Sequence, residues 1–270
     1  MVFKPSLGLA IITYNEERNI QRCIDSIYDI VEEIIVLDSF STDQTHDICC
    51  GYAKVKFYQH VFDGHVQQKN RALEKCTTDW VLCLDADEEV SVELNLSIQS
   101  FLNNCPEHVA GVKFPRLTVH MKRFIRHGGW YPNARYRLIK RGQAYWDGEN
   151  PHDKIILSGK GIQIKGDLIH YSFKDLSHQV NTINQFSSIA ALVRYNKGKR
   201  FFLFRLLFKP ISKFLELYIL KLGVLDGLQG FIIAVSSSYS AFLKEAKLYE
   251  LFCLNTEKPS NLSPLYKKER

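Results

Sequence analysis

Short apolar runs alternate with segments of helical spacing over the first ninety residues. Leu7-Gly-Leu-Ala-Ile-Ile-Thr13 is apolar almost throughout, too short for a helix and β-branched toward its end, and so predicts a strand. Asn19 to Tyr28 places Ile20, Cys23, Ile24 and Ile27 at three- and four-residue intervals, the stripe of an amphipathic helix. The alternation then repeats. Strands are predicted at Glu33–Leu37, Lys54–Tyr58 and Trp80–Leu84, and helices at Thr42–Gly51, which stops at glycine, and at His65–Cys76. Strands without a polar face, separated by helices of about ten residues, predict a parallel sheet covered on both sides. Such sheets bind ligands beyond the carboxyl ends of their strands. The residues just after the first, second and fourth strands are therefore the first candidates for chemistry.

From about residue 111 the pattern loosens. Val112–Phe114, Tyr136–Ile139, Ile155–Leu157 and Ile162–Ile164 read as short strands between loops rich in Gly, Pro and aromatics, such as His127-Gly-Gly-Trp-Tyr-Pro132. The chain turns helical at Leu176, with segments Leu176–Tyr195, Phe201–Leu222 and Leu228–Phe252; Pro210 is expected to break or start a helix within the second. The expected organisation is an α/β domain over 1–175, split into halves 1–110 and 111–175. A helical, basic region over 176–258 and a tail over 259–270 follow it.

Composition changes the picture in one respect. The 270 residues are 46% hydrophobic and 12% aromatic with a formal charge of only +6, which excludes a disordered chain. That mild total conceals an uneven distribution: residues 1–110 carry net −10, and 111–189 and 190–270 carry net +8 each. An acidic front and a basic back point to different partners for the two parts. Seven cysteines, an odd number without a CxxC pair, argue against a disulfide framework and a zinc ribbon, and fit a reducing, cytoplasmic compartment. Leu7–Thr13 is too short for a signal peptide, and no apolar stretch reaches the roughly 18 residues expected of a spanning helix.

Three strand ends carry polar clusters. The first is Thr13-Tyr-Asn-Glu-Glu-Arg-Asn19, which a loop with a helix cap also explains. The second is Asp38-Ser-Phe-Ser-Thr-Asp43, where Asp38 offers an acceptor to a base or ribose hydroxyl, while Ser41 or Thr42 would cap the next helix. The third, Asp85-Ala-Asp-Glu-Glu89, is the sharpest. Two carboxylates one residue apart at the end of an apolar strand are costly unless a cation compensates. Carboxylate oxygens suit Mg²⁺ or Mn²⁺, which commonly bridge protein and substrate phosphates. A solvated acidic turn is the bland alternative.

Together these clusters resemble the inverting family 2 glycosyltransferases, whose nucleotide-sugar-binding domain is called GT-A and is Rossmann-like. The resemblance continues through Trp130-Tyr-Pro132, Arg137-Leu-Ile-Lys-Arg-Gly142, His152-Asp153, His170-Tyr-Ser172, Phe214-Leu-Glu-Leu-Tyr218 and Asp226-Gly-Leu-Gln-Gly230. These later motifs are similar to a branch that includes bacterial lipopolysaccharide-core β-1,4-glucosyltransferases. The resemblance implies a mainly parallel GT-A sheet followed by helices, and transfer of a sugar, glucose in that branch, from a UDP-linked donor to a lipopolysaccharide core or other surface glycan. It implies that Thr13, Asn15 and Glu16 form the first nucleotide-binding loop, that Asp38 meets the uridine, and that Lys69 and Arg71 face the base or diphosphate. Asp85 matches the acid that meets the ribose and Asp87 the one that meets the metal, Mg²⁺ or Mn²⁺. Two positions depart from the pattern. Phe40 stands where relatives have glycine, whose backbone angles it cannot adopt cheaply, so a differently shaped loop is expected. Asp153 stands where the branch has Glu.

Inverting displacement of a nucleoside diphosphate needs a cation on the leaving group and a carboxylate to take the acceptor's proton. Asp153 is the candidate base, with Glu149 and Asp147 as competitors that are equally readable as surface acids. His170 either completes the metal shell or is a hydrogen-bonded core residue. Arg137, Lys140 and Arg141 either lie on the acceptor or diphosphate side or form a solvated strand edge. Phe201 to Leu215 mixes large apolar residues with Arg205, Lys209 and Lys213, which suits a helix in a membrane interface or ordinary amphipathic packing. No nucleic-acid motif is present, and an oligomer is left open. Two other readings compete. A sugar nucleotidyltransferase would need a Gly-rich phosphate loop where the chain has Asn15-Glu-Glu-Arg18, and a non-catalytic relative would only bind nucleotide-sugar or dock at a membrane.

Overall fold

The computed structural model describes residues 5–148 and 153–254. Glu149 and His152, and the tail at 259–270, lie outside the described residues. The chain divides into two compact units, one of Met1–Leu117 with Asn133–His170 and one of Thr118–Pro132 with Tyr171–Arg270. This division differs from a simple boundary near 175, because residues 118–132 group with the C-terminal helices.

The first unit opens as its periodicity predicts: β1 (Leu7–Thr13), α1 (Ile20–Asp25), β2 (Glu33–Asp38), α2 (Thr45–Cys50), β3 (Val55–Gln59), α3 (His65–Glu74) and β4 (Trp80–Asp85). A short β5 (Glu88–Val90), a helix α4 (Val92–Asn103) and β6 (Val109–Phe114) follow. After β7 (Arg116–His120) and β8 (Arg123–Ile125) the unit resumes with β9 (Arg135–Lys140), β10 (Ala144–Asp147), β11 (Lys154–Leu157), β12 (Lys160–Gln163) and β13 (Leu168–His170). Seven strands form one sheet in the order β12-β6-β9-β4-β1-β2-β3. Four of its pairings are parallel, and β9 enters antiparallel between β4 and β6. The sheet is thus mixed but mainly parallel.

Alternation along the strands sends successive side chains to opposite faces and so builds two cores. Leu9, Ile11, Ile34, Val36, Leu82 and Leu84 pack on one face against Ile20, Cys23 and Ile24 of α1 and Leu94 and Ile98 of α4. Ala10, Ile35, Leu37, Val81 and Cys83 pack on the other against Ala72 of α3 and against Trp146 and Ile155 of the β10–β11 hairpin. Glu33 ties one edge of this framework together. Its buried carboxylate accepts from Lys56 Nζ at 2.8 Å, from the Thr77 N–H and Oγ1, and from the Thr78 N–H at 3.1 Å.

The second unit contains α5 (Leu176–Asn196), α6 (Leu203–Leu215), a π-turn over Glu216–Leu220, a 3₁₀ turn over Gly223–Asp226 and α7 (Gly227–Leu254). The long helix α5 is capped by Asp175, whose carboxylate accepts the His178 N–H at 2.7 Å. Pro210 does not break α6: the helix, which packs along α7, runs through it without the hydrogen bond to the Leu206 carbonyl. The Asp226-Gly-Leu-Gln-Gly230 motif is structural. Asp226 is buried and accepts from the His127 N–H at 2.8 Å and His127 Nδ1 at 3.0 Å. A Cβ at Gly230 would overlap the Gly223 carbonyl, so the start of α7 needs glycine there.

Candidate active site

Strand register brings the three polar clusters to one rim. Pairing of β1 with β2 sets Thr13 beside Asp38, and pairing of β1 with β4 sets Ile12 beside Asp85. The loops after β1 and β2 are then stitched together. The Asn15 N–H donates to Ser41 Oγ at 2.8 Å, Asn15 Oδ1 accepts the Thr42 N–H at 2.8 Å, and the Glu16 N–H donates to Thr45 Oγ1 at 2.8 Å. Ser41 and Thr42 therefore bridge the loops rather than cap α2; Asp43 takes the Thr45 N–H at 3.0 Å instead. Thr13 is buried, and its Oγ1 finds no hydrogen-bond partner among the described residues.

One expectation at the second loop, its altered shape, is corrected. Phe40 does adopt a left-handed backbone, with φ +62°, so the loop keeps the conformation that glycine would favour and carries the strain of a side chain there. Asp38 packs within the same loop. It is fully buried and accepts from the Ser41 N–H at 2.8 Å, Ser41 Oγ at 2.5 Å and Gln59 Nε2 at 3.2 Å, shaping the loop from within.

The acids after β4 sit in a charged cluster. Asp85 Oδ1 lies 2.8 Å from Lys69 Nζ, and its Oδ2 accepts from Arg137 at 2.6 Å. Lys69, nearly buried on α3, also meets Asp153 Oδ2 at 2.8 Å and lies over the Trp146 ring, 4.3 Å from its centroid. Burial pushes the Lys69 ammonium down, but the Asp85 and Asp153 carboxylates outweigh it and the Arg137 repulsion, so the lysine is held charged. Burial likewise works against the Asp85 carboxylate, yet Arg137 and Lys69 keep it well below the usual carboxylate range. Arg137 is buried rather than on a solvated edge, and it also donates to Glu88 Oε1 at 2.7 Å. Lys140 and Arg141 instead reach the Glu107 and Thr78 carbonyls, and Lys140 pairs with Trp80 at the amino end of β4, so both lie away from the rim.

Asp87 and His170 come together through the sheet. Antiparallel pairing of β5 with β13 sets His170 opposite Glu88, and the Nε2 of His170 lies 3.3 Å from Asp87 Oδ2. That separation suits two neighbouring ligands of one octahedral ion with bonds of about 2.1 Å. One oxygen and one imidazole nitrogen fit Mn²⁺, and fit Mg²⁺ less well. Among the described residues no three His, Cys, Asp or Glu side chains converge, so the remaining ligands would come from substrate phosphate and water.

Not every expected residue joins this cluster. Arg71 makes a two-pronged ion pair with Asp63 at 2.5 Å and turns to Gln68 Oε1 at 3.2 Å, so it does not reach the acids. Asp147 is exposed on the β10–β11 hairpin, whereas Asp153 is in the ion cluster. Glu88 had no assigned role, yet its Oε2 accepts the Asp85 N–H at 3.0 Å and its other oxygen anchors Arg137. A signal for it exists: Ala86, Glu88 and Val90 alternate with Asp87 and Glu89, and the first set is buried.

Comparison with known proteins points one way. Residues 9–156 match the family model described as glycosyl transferase family 2. The chain is 31% identical to the lipopolysaccharide core biosynthesis glycosyltransferase LpsC of Rhizobium meliloti, over 94% of this chain and 96% of that protein. It is 32% identical to the uncharacterized glycosyltransferase RT0209 of Rickettsia typhi, over 89% of this chain and 86% of that one. Among solved structures, the mannosyltransferase PcManGT of Pyrobaculum calidifontis, in complex with GDP-Man and Mn²⁺, superimposes with a TM-score of 0.52 at 14% identity. That match covers 99% of this chain and 89% of the other.

Proposed function

Since this chain belongs to glycosyl transferase family 2, we propose that it is a metal-dependent inverting glycosyltransferase. Its donor is a UDP-linked hexose, glucose first among the candidates, and its acceptor is a hydroxyl of a lipopolysaccharide core or related surface glycan. Similarity to LpsC supports the acceptor class, and the Mn²⁺ and GDP-Man of the mannosyltransferase with the same fold support a metal and a nucleotide-sugar. The observation that carries the reading is the convergence of Asp85, Lys69 and Asp153 beside the Asp87–His170 pair at the sheet rim.

In this reading Asp87 and His170 hold a divalent ion, which when bound supplies Lewis-acid stabilisation of the departing diphosphate. The chain's own residues do the rest. Thr13, Asn15 and Glu16 line the nucleotide end, where the buried Thr13 hydroxyl is available to bond. The acceptor hydroxyl attacks the anomeric carbon, the bond from that carbon to the diphosphate oxygen breaks, and Asp153 takes the hydroxyl proton. Lys69 arbitrates. An arriving diphosphate competes with both carboxylates for its ammonium, and the Asp153 oxygen thereby released is the one that accepts a proton. Asp85 and Glu88 keep Arg137 fixed, so that its positive charge is already in place as the leaving group departs.

The test is turnover of a nucleotide-sugar panel by the purified protein, with and without Mn²⁺, against a truncated lipopolysaccharide acceptor. Asp153→Asn is expected to keep donor affinity by calorimetry while losing transfer, and an unimpaired rate would reassign the base. Absence of turnover with every donor would overturn the reading.

A further inference from the structure

The helix α6 has an apolar side that none of the described residues covers. Not one of its residues is buried, and Phe204, Leu207, Phe208, Ile211 and Leu215 are each 44–69% exposed. Their spacing of three and four residues places them on a single stripe, so they form one surface rather than scattered exposures. Phe204 and Phe208 stack within it at 4.4 Å between ring centroids. The surface continues past the helix, with Leu220 at 77% exposure and with Val224 and Leu225 on the 3₁₀ turn.

Charge decides what fits that surface. Arg205, Lys209 and Lys213 follow the flank of the stripe, and from Arg194 to Leu215 the sequence holds seven cations and no acid, of which Arg194 is paired with Glu245 and Lys213 with Glu216. Lys209 reaches Glu245 only at 3.9 Å and stays 55% exposed, so its charge still faces outward. A second copy of the chain would bring the same cations against each other in a symmetric contact. An anionic lipid surface instead satisfies both features: the acyl boundary takes the aromatic and aliphatic side chains, and the headgroups take the cations. Among the described residues no single helix is long and apolar enough to cross a bilayer; Leu203–Leu220 and Gly223–Cys253, bent by 73°, reach that length and composition only as a pair.

We propose that α6 lies in the plane of an anionic membrane and docks the protein there by its Phe204–Leu215 stripe and flanking cations. This deepens the proposed function, since it names the surface that presents a lipid-anchored glycan acceptor, and it rests on that reading only for that purpose.

Co-sedimentation of the full chain with vesicles of phosphatidylcholine, with and without phosphatidylglycerol, tests it. Binding should rise with phosphatidylglycerol and fall with added salt. Leu207→Glu/Ile211→Glu, at two exposed positions, should weaken partitioning about tenfold or more while leaving the melting temperature unchanged. Arg205→Gln/Lys209→Gln should flatten the dependence on anionic lipid. No vesicle binding by the native chain, or equal binding by the glutamate variant, overturns the proposal. So does a dimer, seen by sedimentation, that the same variant dissolves, and so does retention in the bilayer after alkaline carbonate. Because lipid binding is read without turnover, its failure is separable from failure of the transferase reading.

Discussion

Lys69 Nζ stands 2.8 Å from the Asp153 carboxylate and 2.8 Å from that of Asp85, joining residues 84 and 16 positions away in sequence. One buried ammonium thus links the acid after β4 to the candidate base. Removing it leaves two carboxylates facing each other with only Arg137 in compensation. Lys69→Met is expected to destabilise the protein by about 3 kcal/mol and to abolish transfer. A double-mutant cycle with Asp153→Asn, read by chemical denaturation, should give a coupling of about 1–3 kcal/mol. Additive effects would mean that the ion pair has no energetic content.

The Asp87–His170 pair makes a separate prediction. Mn²⁺ binding in the presence of UDP, followed by calorimetry or electron paramagnetic resonance, should be lost in Asp87→Ala. In His170→Ala it should weaken about tenfold or more. Unchanged Mn²⁺ affinity in His170→Ala would return that histidine to a purely structural role.

Acid stability follows from Glu33 and Asp79. Burial works against the Glu33 carboxylate, but Lys56 and the Thr77 and Thr78 donors hold it below its ordinary value. The Ser6 N–H and hydroxyl do the same for Asp79. Carboxylates with lowered folded-state pKa values contribute stability that is present above the unfolded values of about 4 and is lost as pH falls through the folded ones. The melting temperature should therefore drop steeply below pH ~4. In Glu33→Gln that drop should be shallower and the neutral-pH stability lower by about 1–3 kcal/mol, because the buried donors lose their charged acceptor. An unaltered acid slope in the variant would assign the effect elsewhere.

Phe40 supplies the test of strain. It is half exposed, so little burial is lost when its side chain is removed. Phe40→Gly should raise stability by about 0.5–1 kcal/mol, the relief of a left-handed backbone less the entropy of a freer unfolded chain. A destabilised variant would show that the ring contributes more than its backbone costs.

Much of this architecture was legible in the periodicity. Unbroken apolar runs such as Ile34–Leu37 and Trp80–Leu84 leave no solvated face, so a doubly covered sheet, with its rim as the place to look for a site, followed directly. The helix α4 was not legible. Val90, Val92, Leu94, Leu96 and Ile98 alternate like a strand, and only Leu94, Ile98, Phe101 and Leu102 with the Ser91 cap reveal a helix. A segment of three residues such as β13 is too short to carry any period. In the site, sequence position located the acids but not their partners. Arg137 lies among Arg135, Lys140 and Arg141, and nothing in that run distinguishes the one that is buried from those that are not. Lys69 and Arg71 are two residues apart on one helix, and about 200° of rotation between them sends one to the acids and the other to Asp63.

The pairing of β5 with β13 also governs where this protein can be cut. The family match ends at residue 156, before β12 at the sheet's edge and before the strand that carries His170. A fragment trimmed to that match would keep Asp87 and every polar loop on the rim, yet it would strip the sheet of an outer strand and deprive the aspartate of its imidazole neighbour. A piece meant to test the proposed Asp87–His170 metal pair must therefore extend through residue 170.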